Sequence, residues 1–344
     1  MTCKGGKRYA NCANMKVAGN WLLILVLLAG SQMAYGQSGA AMPDRLRFAG
    51  RDFVRLGDWA RANHYDVRWV KFNESVQLTN RFSRLTFSKD SKEAEINGVS
   101  VRLCYPIVMK DGAGYIADMD LEKTLRPVLA PPRDGRRKKV WTVVIDPGHG
   151  GNDPGFQEGA HQEKKYTLLL AQELCDQLKR AGFKASLTRT ADGSLDKPLR
   201  PDIARRRLAD VFISLHWNSA GSGGSDVNGV ETYCLTPSGA PSTNTGNDVS
   251  GAETRAGNRF DAENLYLAYV LQRSLRKELS VEDRGVHRAR FAVLCPAVMP
   301  SVLIEGGFMS NPAESKKIYD AGYRRQMAKA IVDGVQSYQR QVQE

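Results

Sequence analysis

Two histidines and two glutamates in the second half of the chain stand where they could form one hydrolytic site. His149, His216 and Glu305 each come at or just after the end of an apolar run typical of a buried strand. These runs are 140–145, 211–215 and 301–304. Glu163 opens a predicted helix that follows the first of these strands. Because ligands of open α/β sheets bind beyond the carboxyl ends of the strands, these side chains are expected to share one sheet edge.

This set of residue types has a specific chemical interpretation. Two neutral imidazoles and one carboxylate, with a fourth position left for water, form a common catalytic zinc shell. Zinc lowers the pKa of its bound water towards 7 and polarises a carbonyl group. A second carboxylate can take the proton of that water and pass it to the leaving amine. Each residue alone has an ordinary structural explanation, such as a first-turn helix acid for Glu163, but their coincidence favours amide or ester hydrolysis.

The elements around these residues alternate between strand and helix over residues 140–344. This order predicts an α/β domain whose mostly parallel sheet is flanked by helices. Apolar residues recur at helical spacing in 164–181, 263–279 and 323–338, and further short strands are predicted at 185–188 and 230–235.

The preceding segment, residues 45–130, has a different pattern. A short helix is predicted at 56–63, followed by strands with alternating polarity, and the pair Asn97-Gly98 suits a type I′ hairpin turn. We therefore expect a small α+β accessory domain. Residues 131–139 are rich in proline, glycine and basic side chains and predict a linker between the two domains.

The amino terminus has the features of an export signal. Within residues 1–36, a basic stretch precedes an apolar run at 21–28, and Ala34 and Gly36 offer the small side chains of a cleavage site. Export to the periplasm or cell envelope is expected, with no stable membrane span after cleavage. The alternative is an uncleaved membrane anchor.

Composition narrows the class of protein further. With 42% hydrophobic residues, the 344-residue chain can build a packed core, which excludes a wholly disordered protein. The net charge of +12 suits an anionic polymer as partner. A nucleic acid is disfavoured as partner because no dense basic stretch is interleaved with aromatic residues.

Four cysteines would remain after removal of the signal: Cys104, Cys175, Cys234 and Cys295. In an oxidising compartment they could pair, and buried free thiols are equally compatible with the sequence. A thiolate zinc site is disfavoured because no C-x-x-C spacing occurs.

Six stretches of residues 140–342 resemble the zinc-dependent N-acetylmuramoyl-L-alanine amidases of the type 3 family and occur in that family's order. They are VVIDPGHGGNDPG (143–155), QEKKYTL (162–168), DVFISLHWNSA (210–220), GVETYCL (229–235), DRGVHRARFAVL (283–294) and MPSVLIEGGFMSNPAE (299–314). Residues 45–130, with INGVSVRL and YPIVMKDGAGYI, resemble the copper amine oxidase N-terminal-like domain, a resemblance that does not imply copper.

The amidase resemblance implies a role for each of the four residues. His149, Glu163 and His216 would be the zinc ligands, and Glu305 would be the catalytic carboxylate that serves the zinc-bound water as general base and acid. The implied substrate is peptidoglycan, cleaved at the amide between N-acetylmuramic acid and L-Ala of the stem peptide.

Other residues are weaker candidates for the site. Asp146 and Asn218 could orient ligands from a second shell. Trp217 could stack on substrate or wall the pocket, and Arg288 could contact stem-peptide carboxylates. His161 could compete with Glu163 as a ligand, although the resemblance favours Glu163.

Two alternative functions remain compatible with the sequence. One is a zinc peptidase that cuts within the stem peptide, and the other is a non-catalytic wall-binding protein with an amidase fold. In either case the amino-terminal domain could contact the cell wall or an envelope protein.

Overall fold

The computed structural model describes residues 43–133, 141–221, 224, 226–244 and 252–343. The predicted signal peptide and most of the predicted linker lie outside the described residues. The described residues pack as one compact unit. In this part of the chain, none of the helices combines the length and the apolar character of a transmembrane segment.

The strands of the described residues are named in chain order. They are β1 (Arg45–Phe48), β2 (Arg51–Arg55), β3 (Asp66–Lys71), β4 (Ser75–Thr79), β5 (Arg84–Ser88), β6 (Glu93–Ile96), β7 (Val99–Arg102), β8 (Val108–Lys110), β9 (Ala113–Ala117), β10 (Thr142–Pro147), β11 (Gln157–Glu158), β12 (His161–Gln162), β13 (Lys184–Leu187), β14 (Val211–Asn218), β15 (Val230–Leu235), β16 (Asp283–Ala289) and β17 (Ser301–Phe308).

The helices are named in the same way. They are α1 (Leu56–Ala62), α2 (Asp118–Asp120), α3 (Arg126–Leu129), α4 (Glu163–Arg180), α5 (Leu199–Arg206), α6 (Asp261–Leu279), α7 (Pro312–Tyr319) and α8 (Ala321–Gln343). One π-helical turn, Leu121–Leu125, joins α2 to α3, and a short 3₁₀ helix, Ala256–Phe260, precedes α6.

The largest sheet in the described part of the chain has eleven strands in the order β13-β10-β14-β17-β15-β16-β7-β6-β5-β4-β3. From β13 to β16 the pairs are parallel except β15–β17, whereas β7 to β3 form an antiparallel meander. Strands β1, β2, β9 and β8 form a second, smaller sheet. The predicted α/β fold with a mostly parallel sheet flanked by helices is therefore confirmed.

Alternating side chains of the parallel strands pack into two different cores, one on each face of the sheet. Val143 and Ile145 point into the large core that also takes in side chains of α4, α6 and α8. Val144 and Phe212 point to the opposite face, where Ala204 of α5 and the segment 289–299 cover the sheet. Both faces of these strands are thus buried, which explains their nearly continuous apolar sequences.

The two segments that the sequence separates share this sheet. Val101 of β7 pairs in parallel with Val286 of β16, and the Asp283 carboxylate accepts a hydrogen bond from the backbone N–H of Ser100 at 3.0 Å. The apolar residues of β4 to β7 belong to the same core as α6 and α8. The boundary predicted at 131–139 thus separates two stretches of sequence whose strands lie in one continuous sheet.

A buried polar cluster lies where the two segments meet. The Asp120 carboxylate, fully buried, accepts hydrogen bonds from the backbone N–H groups of Cys104 at 2.7 Å and Tyr105 at 3.0 Å, and from the Thr124 hydroxyl at 2.7 Å. Arg288 of β16 donates to the same Thr124 hydroxyl at 3.0 Å. Cys104, Cys175, Cys234 and Cys295 are all free thiols.

Asp120→Ala should destabilise the whole protein. The substitution leaves two buried backbone N–H groups and one hydroxyl without an acceptor, so the free energy of unfolding should fall by roughly 3 kcal/mol or more. Chemical denaturation of the mature chain measures this loss. The matched control is Asp118→Ala, which removes a half-exposed ion pair with Arg45 and should lower stability by less than about 1 kcal/mol. Equal losses in the two variants would contradict this account of the cluster.

Candidate metal centre

The loop after β10 carries the first histidine of the site in an unusual backbone conformation. His149 has a φ of +59°, which is uncommon for a residue with a side chain. Gly148 comes directly before it, and a Cβ atom at Gly148 would lie 2.3 Å from the imidazole of His216. Gly148 therefore lets the backbone pass close to His216, and the next residue, His149, presents its own imidazole to the site.

Glu163, the first residue of α4, is held by backbone donors from two other elements. Its Oε2 atom accepts a hydrogen bond from the N–H of Phe156 at 2.9 Å, and Oε1 accepts one from the N–H of Trp217 at 3.1 Å. The side chain is only 6% exposed. These donors fix the carboxylate at the start of the helix and turn it towards the end of β14.

Three side-chain atoms from different elements converge at this point. Nε2 of His149 lies 3.0 Å from Oε1 of Glu163 and 3.1 Å from Nδ1 of His216, and that Nδ1 lies 3.0 Å from Oε1 of Glu163. Ligands of a tetrahedral zinc ion with bonds near 2.0–2.1 Å stand about 3.3 Å apart. Two imidazoles and one carboxylate at this spacing fit such an ion, so these residues form a candidate metal-binding triad.

Glu163 and His149 shift each other's pKa. Burial alone would raise the pKa of Glu163, but hydrogen bonds to the two imidazoles outweigh it and hold that pKa below its usual value. Burial alone would lower the pKa of His149, yet the neighbouring Glu163 and Asp153 carboxylates hold it above the ordinary value. The Glu163 carboxylate and the His149 imidazole therefore stabilise each other in their charged forms.

Two buried arginines that sequence reasoning missed hold the loop in place. Arg200 of α5 pairs with the fully buried Asp146 at 2.9 Å and donates to the carbonyls of Pro147 at 2.8 Å and His149 at 2.9 Å. Arg189 donates to the carbonyls of Pro147 at 3.0 Å and Gly148 at 2.8 Å. Asp146 therefore supports the site through Arg200. Arg189 follows β13 at the same sheet edge, which was the available signal.

Glu305 lies on β17, directly opposite His216 of β14 and Glu231 of β15. Its Oε2 atom is buried and has no hydrogen-bond partner within the described residues. Burial raises the pKa of Glu305 well above its usual range, and the carboxylates of Glu163 and Glu231 add to this effect. Glu305 is thus an uncompensated carboxyl group beside the triad.

The triad and Glu305 line one cavity of about 1110 Å³. Phe156 and Phe291 contribute apolar wall, and Lys197 contributes a cationic side chain. A cavity of this size can take a substrate much larger than a single amino acid.

The structure places the weaker candidate residues in different surroundings. Asn218 lines the cavity, with its Oδ1 accepting a hydrogen bond from the N–H of Ser219 at 2.8 Å. Trp217 also lines the cavity, but it is only 1% exposed, and its backbone N–H donates to Glu163. His161 stacks on Tyr319 with ring centroids 3.9 Å apart and is not part of the triad.

Arg288 does not contribute to the cavity lining. Its side chain is 1% exposed and donates to Thr124 and to the carbonyl of Lys123, where the two segments meet. The expected contact between Arg288 and substrate carboxylates is therefore wrong. This arginine is a buried structural group.

The fold is an α/β sheet flanked by helices, and the site is a candidate metal centre at one edge of that sheet. The sequence model of a family described as N-acetylmuramoyl-L-alanine amidase matches residues 143–337, more than half of the chain. The chain belongs to this family of amidases.

Individual relatives agree with the family match. The N-acetylmuramoyl-L-alanine amidase AmiC of Neisseria meningitidis is 35% identical over 243 residues, which cover 64% of this chain and 57% of that protein. AmiC of Escherichia coli is 29% identical over 242 residues, or 64% of this chain and 58% of that protein. The chain thus spans less than two thirds of these two relatives. An N-acetylmuramoyl-L-alanine amidase structure from Clostridium difficile has a TM-score of 0.49 at 32% identity and covers 59% of this chain and 98% of that one.

Gly155→Ala should damage the triad more than its backbone strain explains. A Cβ atom there would lie 2.4 Å from Oε2 of Glu163 and 2.7 Å from the His149 ring. Gly159→Ala is the matched control, because its φ of +57° resembles the +66° of Gly155 but its Cβ would meet open space. We expect zinc affinity to fall at least about tenfold, or 1.4 kcal/mol, in Gly155→Ala only. Zinc titration of both variants measures this, and an equal fall in the two would refute the steric explanation.

Proposed function

We propose that the protein is an exported, zinc-dependent N-acetylmuramoyl-L-alanine amidase that cleaves peptidoglycan. The observation that carries the proposal is the convergence of His149, Glu163 and His216 beside the unpartnered carboxyl group of Glu305 in one open cavity. Family membership and the names of the relatives support the same bond as the target.

His149 Nε2, Glu163 Oε1 and His216 Nδ1 would hold the zinc ion. When bound, zinc supplies a Lewis acid that polarises the scissile carbonyl and acidifies water. Glu305, on the neighbouring strand, would accept a proton from the attacking water and then deliver it to the leaving amine of L-Ala. The backbone donors to Glu163 would keep that carboxylate fixed as a ligand rather than free as a base.

The cavity chemistry is compatible with a stem peptide joined to a sugar. Apolar walls from Phe156 and Phe291 can contact a sugar ring or an alanine methyl group, and the exposed Lys197 ammonium can attract a peptide carboxylate. A peptidase acting within the stem would use the same chemistry, so product analysis has to separate the two activities.

The remaining parts of the chain belong to the same proposal. We assign residues 1–36 to a secretory signal and place the mature protein in the periplasm or cell envelope. Residues 45–130 would serve as the accessory portion, similar to the copper amine oxidase N-terminal-like domain, and could contact the wall or an envelope protein. In this view the accessory portion is built onto the catalytic sheet.

Glu305→Gln should abolish hydrolysis without removing zinc. The amide keeps the size of the side chain but cannot take up a proton, so kcat should fall at least about 100-fold. The assay is release of intact stem peptides from purified peptidoglycan, followed by mass spectrometry, with zinc content measured in parallel. Glu122→Gln, on an exposed helical turn of the first segment, serves as the control and should keep full activity.

The products decide between the candidate functions. Intact stem peptides beginning with L-Ala would support the amidase, whereas shortened peptides would favour the peptidase. Wall binding with bound zinc and no products from the wild-type protein would favour the non-catalytic alternative.

Export predicts a defined mature amino terminus. If the small residues before Gln37 form the cleavage site, protein recovered from the cell envelope should begin at Gln37. Amino-terminal sequencing measures this directly. Recovery of the uncut chain in the membrane fraction would instead indicate the anchor.

A further inference from the structure

Asp153 lies on the loop between β10 and α4, at the edge of the triad. Its Oδ2 atom is 2.9 Å from Nδ1 of His149, and its Oδ1 atom accepts a hydrogen bond from the N–H of Gly155 at 3.1 Å. The side chain is 54% exposed, so it could point into solvent. One oxygen of the carboxylate instead faces a candidate metal ligand, while the other closes a turn.

The two nitrogens of His149 face different partners. Nε2 faces Glu163 and His216, whereas Nδ1 is buried, lies 2.9 Å from Oδ2 of Asp153 and makes no well-aligned hydrogen bond within the described residues. A neutral imidazole carries one N–H, and the nitrogen that binds a metal must keep its lone pair. A carboxylate at Nδ1 favours the proton there and leaves the lone pair on Nε2.

We propose that Asp153 is a positioning residue. Its carboxylate holds His149 in the tautomer and ring orientation in which Nε2 can bind the metal. The inference rests on the proposed function, because the metal it concerns is the zinc ion of that reaction. Outer carboxylates of this kind change metal affinity or activity by about 10- to 100-fold.

A purely structural role for Asp153 would concern the turn alone. The backbone already closes this loop, because Gly150 donates to the carbonyl of Asp153 at 2.9 Å and Asp153 donates to that of Gly150 at 3.2 Å. The Oδ1 contact with Gly155 adds a further turn bond. Neither contact uses Oδ2, so the two roles of the carboxylate can be separated by substitution.

Asp153→Asn makes this separation. The amide oxygen can still accept from Gly155, but an NH₂ group then faces Nδ1 and cannot accept its proton. Zinc, added to the mature protein in competition with a chelator of known affinity, should bind about 10- to 100-fold more weakly than to the wild type. The melting temperature of the metal-free protein should fall only slightly, because the contact involves a half-exposed carboxylate.

Asp192→Asn is the matched control. The Asp192 carboxylate binds the same loop, because it accepts hydrogen bonds from the N–H of Gly151 at 2.7 Å and from Lys164 at 2.8 Å. Neither contact involves Nδ1 of His149. Zinc affinity should remain that of the wild type. Asp153→Ser, whose hydroxyl can accept from Gly155, is a second test variant and should also bind zinc weakly.

A spectroscopic measurement distinguishes positioning from general loosening of the loop. In the zinc-loaded wild type, the Nδ1 proton of His149 should resonate far downfield and exchange slowly with water, and both properties should be lost in Asp153→Asn.

Three outcomes would count against the inference. Wild-type zinc affinity in Asp153→Asn would overturn it and leave the proposed function intact. Equal weakening in Asp192→Asn would reduce Asp153 to a loop residue. Absence of zinc binding by the wild type would overturn the proposed function and, with it, this inference.

Discussion

The candidate site depends on two guanidinium groups that bind consecutive backbone carbonyls of one loop. Arg200 and Arg189 together engage the carbonyls of residues 147 to 149. The triad atoms lie 3.0–3.1 Å from one another, so a small shift of the His149 loop would change their spacing. The two guanidinium groups therefore fix the backbone from which His149 reaches the triad.

A buried guanidinium group such as that of Arg200 needs an opposite charge beside it. Arg200 is 5% exposed and pairs with Asp146, which is fully buried and also accepts from Ser214 at 2.8 Å. An ion pair at this depth is weak evidence for stability, since desolvation opposes the Coulomb attraction. The ion pair instead fixes the orientation of the Arg200 guanidinium. The remaining N–H groups of that guanidinium bind carbonyls of the His149 loop.

The sequence predicts which candidate ligands meet at one edge of the sheet, but it does not predict the arginines that hold the His149 loop. His149, His216 and Glu305 could be placed together because strand period and strand ends are local features of the sequence. Arg189 and Arg200 are single residues with no spacing rule, and their partners are backbone carbonyls. Arg288 was misplaced because β16 was not predicted as a strand, so the face to which Arg288 points was unknown.

The shared sheet escaped prediction for a related reason. Pairing of β7 with β16 joins residues far apart in the chain, and no local pattern encodes such a partner. The basic, proline-rich stretch between the segments does mark the end of one set of strands. The buried residues of the two segments nevertheless belong to one core.

The antiparallel neighbour β15 is what sets the environment of Glu305. It places Glu231 directly opposite Glu305, but Glu231 is already bound by the hydroxyl of Tyr233 at 2.6 Å and by Arg284. Arg284 is thus committed to Glu231, and no cation of the described residues is in hydrogen-bond contact with Glu305. A carboxyl group with a buried oxygen atom, two other carboxylates nearby and no contacting cation binds a proton readily. In the proposed reaction, that is the property a group needs to accept a proton from water and release it to an amine.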